Sequence, residues 1–347
     1  MEHKKQLRLK DIAAALELSV STVSRALNDK SDINQATKTL VMDYVKKHGY
    51  TPNPVALSLK KQSAKQVIGI IVPKINHYFF SNTVAGIMSK ANLDHKLILT
   101  GESSHDINVE KKVIDSFISY GVSGLIIAPA KTSDFSQNLL PVIHRRIPVV
   151  IMDRSYDNYN GNFVIADDFS GAYMAVSHLI ENGYQRIAHI ASTDKWSVGN
   201  ERLRGYKQAL IDNDISINDQ LIHFINPTNI DQDIESSIKV CLKFFSEKEK
   251  PDAIFTATDN LALGVYKFAD KYDIKIPDQL GIVGYSNSKI SEFLSPKLTT
   301  VNQNGFAMGE KAYEILHNIT KQEGRVYQKV FDTELIVRES SMRSSID

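Results

Sequence analysis

The chain has 347 residues, 42% hydrophobic and 23% charged, proportions of a globular protein of two or three domains rather than a disordered or collagen-like one. No apolar run approaches the roughly 18 residues of a membrane span, and the start MEHKKQLRLKD lacks the apolar core of a signal peptide, so a soluble cytoplasmic protein is expected. One cysteine, Cys241, excludes an intramolecular disulfide and a Cys-based zinc cluster, and the net charge of +1 hides a basic head (+6 over residues 1–65) before a mildly acidic body (−5), an asymmetry that points to a polyanion partner.

The first 50 residues carry helical periodicity. Leu9, Ile12, Ala13 and Leu16 recur at three- and four-residue spacing, as do Val23 and Leu27, then Leu40, Val41, Tyr44 and Val45. Three short amphipathic helices fit. The turn between the first two is Glu17-Leu18-Ser19, with Ser19 as N-cap of a helix from about Val20. The third runs from about Gln35 to His48 and stops at Gly49, before the breaker Thr51-Pro52-Asn53-Pro54; Pro54 can start another short helix through Leu59.

After residue 65 short apolar runs alternate with amphipathic stretches. Strands are expected at Val67–Val72, Lys96–Thr100, Gly124–Pro129, Pro148–Asp153, Phe163–Asp168, Arg186–Ser192, Leu221–Asn226, Ala253–Asp259 and Leu280–Ser286. Helices are expected at Phe80–Asp94, Val109–Tyr120, Phe169–Glu181, Glu201–Ile211 and Asn260–Lys271. Such alternation predicts parallel sheets covered on both faces, and so many strands fit two doubly wound lobes better than one sheet. Ligands of such sheets sit at the carboxyl ends of the strands, and clefts form where lobes meet.

In the head, Val23 and Leu27 face a small core while Ser21, Thr22 and Arg25 face outward, as a helix-turn-helix requires of the helix it lays in the major groove. Arg reads guanine with two donors, Val20 meets a thymine methyl, and hydroxyls hold phosphates or bases. Lys10 is a further phosphate candidate. The same periodicity also fits a plain three-helix module with a polar surface.

The stretch LKDIAAALELSVSTVSRALND, followed by TPNPVALSLK, resembles the N-terminus of the lactose-repressor (LacI/GalR) family of bacterial transcription regulators. The match lies at Asp11, Ile12, Ala13, Ser19, Thr22, Val23, Ser24, Arg25, Leu27 and Asn28. It departs at Leu16-Glu17, where the family usually has Ala-Gly. Family-like segments VIGIIVP, DDFSGAYMAVSHLIENGYQRIAHI, RLRGYKQAL, DNLALGVYKFA, IPDQLGIVGYSN and SPKLTTVNQ follow in the same order. The resemblance implies a helix-turn-helix head over residues 1–51, a hinge helix and linker over 52–65, and a two-lobed periplasmic-binding-protein-like body over 66–347. It places lobe one at about 66–165 and 297–325 and lobe two at about 166–296 and 326–340. By the same resemblance Val20, Ser21 and Arg25 read bases, and Thr22, Ser24, Asn28 and Thr37 hold phosphates. Asn53, Ala56 and Leu59 belong to a hinge that folds against the minor groove, with Leu59 as a wedge between base steps. Leu57 stands where the family often has Arg or Gln.

For an effector, polar and aromatic groups cluster after strands: Asn76 and Phe79, Ser103, Asp153 and Arg154, Trp196, Arg202, Thr258 and Asp259, and Ser286. Aromatic faces stack on rings, and Arg forks onto hydroxyls or a carboxylate. The resemblance makes Phe79 a ring-stacking residue and Arg202 the ligand arginine, and the expected effector is a small polar molecule, a sugar or sugar derivative. Asp259 reads more readily as the cap of the helix after it. Gly284-Tyr285-Ser286 departs from the family's Gly-Tyr-Asp. A hydroxyl is a weaker, neutral acceptor than a carboxylate, which leaves open an anionic ligand or one held by Arg154 and Arg202.

No P-loop, G-x-G-x-x-G or G-x-S-x-G motif is present, the ten histidines are scattered, and strand alternation would send Asp167 and Asp168 to opposite faces. No catalysis, cofactor or metal is expected. The whole-chain expectation is a ligand-responsive transcription repressor acting as a homodimer on a pseudo-palindromic operator, since two heads read two half-sites. A solute-binding receptor without DNA function is the alternative. LIVRESSMRSSID lacks sustained heptads, so no tetramerising coiled coil is expected.

Overall fold

The structure is a computed structural model that describes residues 8–27, 29–48, 50, 67–130, 135–154, 159–192, 197–226, 229–321 and 325–343. The chain divides into two compact units, Met1–Ala64 and Lys65–Asp347.

The first unit holds α1 (Leu9–Ala15), α2 (Val20–Leu27) and α3 (Gln35–His48). Each gives one apolar stripe to a core of Ile12, Ala13, Val23, Ala26 and Val41, with Leu16 and Leu27 partly buried beside it. The Ser19 hydroxyl caps α2 by accepting the Thr22 N–H at 3.0 Å. Asn34 does the same for α3, its Oδ1 accepting from the Thr37 N–H at 2.8 Å.

The second unit alternates strands and helices. In chain order come β1 (Val67–Val72), α4 (Tyr78–Leu93), β2 (Leu97–Glu102), α5 (Ile107–Tyr120), β3 (Gly124–Ile127), α6 (Leu140–His144), β4 (Val149–Met152) and β5 (Phe163–Ala166). Then follow α7 (Asp168–Glu181), β6 (Ile187–Ser192), α8 (Ser197–Asp212), β7 (Ile222–Ile225), α9 (Ile230–Ser246), β8 (Ala253–Thr256), α10 (Asp259–Lys271) and β9 (Gly281–Tyr285). Last come β10 (Thr299–Asn302), α11 (Gly305–Lys321), β11 (Gln328–Phe331) and β12 (Glu334–Ile336).

Two six-stranded sheets form, in the orders β11-β5-β4-β3-β1-β2 and β12-β10-β9-β8-β6-β7. All pairings are parallel except β10 with β12. Alternation divides each strand between two cores: Ile70, Ile126 and Val150 on one face of the first sheet, Ile71, Leu125 and Ile151 on the other.

The lobe boundaries expected from the sequence need correction. Residues 299–302 were assigned to lobe one, yet β10 lies between β9 and β12 in the second sheet. Residues 326–331 were assigned to lobe two, yet β11 pairs with β5 in the first. The chain therefore changes lobe after β5, after β10 and again after β11. The helix after the second crossing, α11, packs on α4 so closely that a Cβ on Gly86 would strike the Phe306 carbonyl, and one on Gly309 the Thr83 carbonyl. Only glycine allows that backbone approach.

Asp167 and Asp168 also leave the strand expected for them. β5 ends at Ala166, and Asp167 caps α7 by accepting the Ser170 N–H at 2.9 Å.

Candidate functional site

On α2 of the head, Val20, Ser21 and Arg25 are exposed, and Thr22 and Ser24 are half-buried. The Ser19 hydroxyl lies 2.7 Å from that of Ser21 and 2.8 Å from that of Thr22, which ties the start of the helix to the turn. Arg25 forms a surface ion pair with Asp32, a contact weak enough to open for a phosphate or a base. Lys10 is exposed on α1, and Thr37 is half-buried in the first turn of α3. Asn28, Asn53, Ala56 and Leu59, and with them the hinge at 52–65, lie outside the described residues.

Glu17 sits where the turn requires φ of +54°, left-handed backbone that costs a side-chain-bearing residue about 1–2 kcal/mol. Glu17→Gly removes that strain and loses about 0.5–1 kcal/mol to unfolded-chain entropy. The expected net is a head more stable by roughly 0.5–1 kcal/mol. Hydrogen exchange on α1 and α2 reads it, and faster exchange in the variant would contradict the strained turn.

In the second unit, a cavity of about 290 Å³ opens between the lobes. Both sheets run in the doubly wound order, and the cavity lies at the carboxyl ends of their central strands. Asn76 and Phe79 follow β1, Asp153 and Arg154 follow β4, Thr258 follows β8, Ser286 follows β9, and Arg202 comes from α8; all seven line the cavity. Ser103 does not: it is buried just past β2 and is not part of the lining, its N–H spent on the Val72 carbonyl. Trp196 lies outside the described residues.

Phe79 meets Phe80 edge-on at 5.3 Å and belongs to the core of the first lobe, so the cavity receives a ring already fixed by packing. Arg202 is the most constrained of the group. Its Nε donates to Asp168 Oδ1 at 2.8 Å, one Nη to the Ala257 carbonyl at 2.6 Å, and the other Nη lies 2.8 Å from Asp168. The guanidinium also covers the Tyr285 ring at 3.7 Å. Burial pushes the Asp168 carboxyl upward, and the guanidinium opposes that push.

The other cations of the lining are paired too. Lys74 donates to Glu102 at 2.8 Å, Arg154 lies 3.7 Å from Asp153, and Lys289 donates to Glu292 at 2.7 Å. Burial works to raise Glu102, but Lys74 and the Ile75 N–H hold it below the usual carboxylate range.

Asp259 is not the cap of α10. Thr258 is, its hydroxyl accepting the Leu261 N–H at 3.4 Å. The buried Asp259 carboxylate instead accepts from Thr300 Oγ1 and from the Ser288 N–H, each at 2.6 Å. It thereby fixes the turn that presents Ser286, whose φ is +112°. Asp153, at φ +69°, and His105, at φ +60°, are also left-handed residues on the lining, and such positions gather at ligand sites. The lining also includes His77, His105, Asn229, Asp233 and Gln303, which no motif signalled. No group of His, Cys, Asp and Glu that could hold a metal occurs among the described residues, and no described helix is long and apolar enough to cross a membrane.

The family model for bacterial regulatory proteins of the lacI family matches residues 8–53, and that for a periplasmic binding protein-like domain matches residues 176–341. The HTH-type transcriptional repressor CytR of Escherichia coli strain K12 is 30% identical over 351 residues, covering 98% of this chain and 99% of the relative. The ribose operon repressor of Haemophilus influenzae is 28% identical, covering 96% and 98%. Among solved structures, the Lac repressor dimer bound to operator and the anti-inducer ONPF is similar with a TM-score of 0.81, at 23% identity, covering 97% of this chain and 100% of that one.

Proposed function

This chain belongs to the lacI family of bacterial regulatory proteins and is a DNA-binding transcriptional repressor, and from that premise we propose how it reads its operator and what controls it. It acts in the cytoplasm as a homodimer on a pseudo-palindromic operator, and carries out no catalysis. Val20, Ser21 and Arg25 read base edges. Lys10, Thr22, Ser24, Asn28 and Thr37 hold phosphates, and Asn53, Ala56 and Leu59 enter the minor groove. The effector is a small polar molecule, a sugar or sugar derivative, bound in the cleft between the lobes.

The observation that carries the effector reading is the cavity itself, lined from both lobes at the carboxyl ends of the strands. Its size favours a single small ring. Lys74, Arg154, Arg202 and Lys289 each already face a carboxylate, which favours an uncharged ligand over an acid. A ligand bound by both lobes favours one angle between them, and it shifts the repressor only by binding that angle better. The solute-receptor alternative supplies no role for a basic helix-turn-helix head.

The direct test is a thermal-shift screen of small ligands on the full chain, followed by operator binding with and without each hit. Operator affinity unmoved by every ligand that binds the cleft would defeat the effector reading. For the head, Arg25→Ala is expected to cost about 1–3 kcal/mol in operator binding and to relax specificity at one base position. Fluorescence anisotropy on a selected operator and its single-base variants measures this. An unchanged affinity would remove α2 from the major groove.

A further inference from the structure

The turn that follows α2 brings a carboxylate against the arginine assigned to base reading. Asp32 pairs with one terminal nitrogen of Arg25, and the two side chains are 43% and 56% exposed, so both are open to a duplex laid along α2. The backbone of the turn fixes that meeting. The Asp29 N–H donates to the Ala26 carbonyl and the Lys30 N–H to the Arg25 carbonyl, each at 3.1 Å, and the Ile33 N–H donates to the Lys30 carbonyl at 3.3 Å. Ile33, next to Asp32, packs against the core of the head. The same turn carries Asp29, whose carboxylate accepts from Lys38 at 2.6 Å. A carboxylate at a DNA-reading surface works against affinity, because every duplex presents phosphates.

From this we propose that Asp32 is a positioning residue for operator selectivity, which holds Arg25 by one edge of its guanidinium and turns it from phosphates toward a guanine. The inference rests on Arg25 reading a base. A guanidinium presents two edges, each with two parallel N–H groups. Asp32 engages one terminal nitrogen, which leaves the other edge for guanine O6 and N7. Those acceptors carry no formal charge and tolerate a neighbouring carboxylate, whereas a phosphate is repelled by it. The pair is too exposed to add much stability. Its effect is on selectivity. An arginine already ordered loses less rotamer freedom at a guanine, and it gains less from the phosphates that every site offers.

The test uses the full chain, an operator selected from a random duplex library, its single-base variants and a duplex of scrambled operator sequence. Fluorescence anisotropy at one salt concentration is read on the wild type and on Arg25→Ala, Asp32→Asn, Asp32→Glu and Asp29→Asn. Arg25→Ala identifies the base that Arg25 reads. At that base Asp32→Asn is expected to narrow the discrimination by about three-fold or more, while binding the scrambled duplex more tightly by a similar factor. Asp32→Glu, which keeps the carboxylate, should stay nearer the wild-type discrimination than Asp32→Asn does. Asp29→Asn makes the same change of charge in the same turn and should leave that discrimination unmoved. The proposal falls if Asp32→Asn raises affinity for the operator and all its variants by one factor, since the carboxylate would then act as bulk charge only. It falls equally if Asp29→Asn narrows the discrimination as much. Should Arg25→Ala alter no base preference, the reading of α2 fails and takes this inference with it. Should Arg25→Ala remove one preference that Asp32→Asn leaves intact, α2 keeps its role and only Asp32 loses its own.

Discussion

Arg202→Ala is expected to destabilise the protein by about 3–5 kcal/mol, more than it weakens any ligand, because it strands the Asp168 carboxylate in the protein interior. Asp168 is 4% exposed and Arg202 6%. The guanidinium answers the carboxylate with two of its nitrogens and the Ala257 carbonyl with the third. Without it, Asp168 must take up a proton or draw water into the core between α7 and α8, and the Tyr285 ring loses its cover. Loss of ligand binding in this variant would therefore mix two effects. The double variant Asp168→Val/Arg202→Met separates them: it removes both charges and refills the space, so most of the stability should return. Ligand response should stay lost. Urea unfolding of the three proteins measures the first quantity, and thermal shift with an identified ligand the second. A single variant within about 1 kcal/mol of wild type would contradict a buried, mutually dependent pair.

The second large effect is on pH dependence. His189 is fully buried, stacked between Phe255 at 4.7 Å and Tyr206 at 5.0 Å, and its Nδ1 lies 3.0 Å from the Phe255 carbonyl. Burial, opposed by that carbonyl and reinforced by the nearby Arg202 charge, lowers its pKa from 6.5 to about 4. The unfolded chain thus binds a proton that the folded one refuses. Above pH 6.5 neither state is protonated there, and the residue exacts no penalty. As pH falls from 6.5 toward 4 stability drops, and below about 4 the loss levels off near 3 kcal/mol. Between pH 7.5 and pH 5 the contribution is about 2 kcal/mol. Burial also lowers His178 and His223, so the measurement is a difference: His189→Phe, whose ring fits the stack, should lose less stability than wild type over that interval. Parallel curves for the two proteins would contradict a neutral buried histidine.

Most strands legible in the sequence are buried on both faces, and two that are not, Leu97–Glu102 and Ile222–Ile225, still carry short apolar runs. Val67–Val72 is apolar throughout and buried throughout, and a continuous apolar run admits few other readings. The three strands that escaped are short and lie toward one side of their sheets. Gln328–Phe331 is mostly exposed and Glu334–Ile336 half-buried, so neither shows alternation. Thr299–Asn302 is buried, but two threonines and an asparagine carry little apolar signal. Missing them misplaced the crossings and hence the lobe boundaries.

The cleft divides similarly. Residues that directly follow a recognised strand, such as Arg154 and Ser286, fell where strand ends place them. Ser103 follows a strand too, but its side chain is buried and does not line the cavity, whereas His105, two residues further on, does. Gln303 follows one of the unrecognised strands, and a lone glutamine carries no signal of its own. Nothing in the sequence ties Asp168 to Arg202, because the two lie 34 residues apart on different helices.

The threefold passage of the chain between lobes also bears on biosynthesis. The head is complete once its three helices have emerged from the ribosome, and it can collapse on its own core while the rest is still being made. Neither lobe has that independence. The first sheet waits for Gln328–Phe331 to close its outer edge, and its helical layer waits for the helix at Gly305–Lys321, long after the second lobe has begun to form. A nascent chain halted anywhere between residues 192 and 327 thus carries a finished head on two unfinished lobes, rather than one finished lobe and one missing.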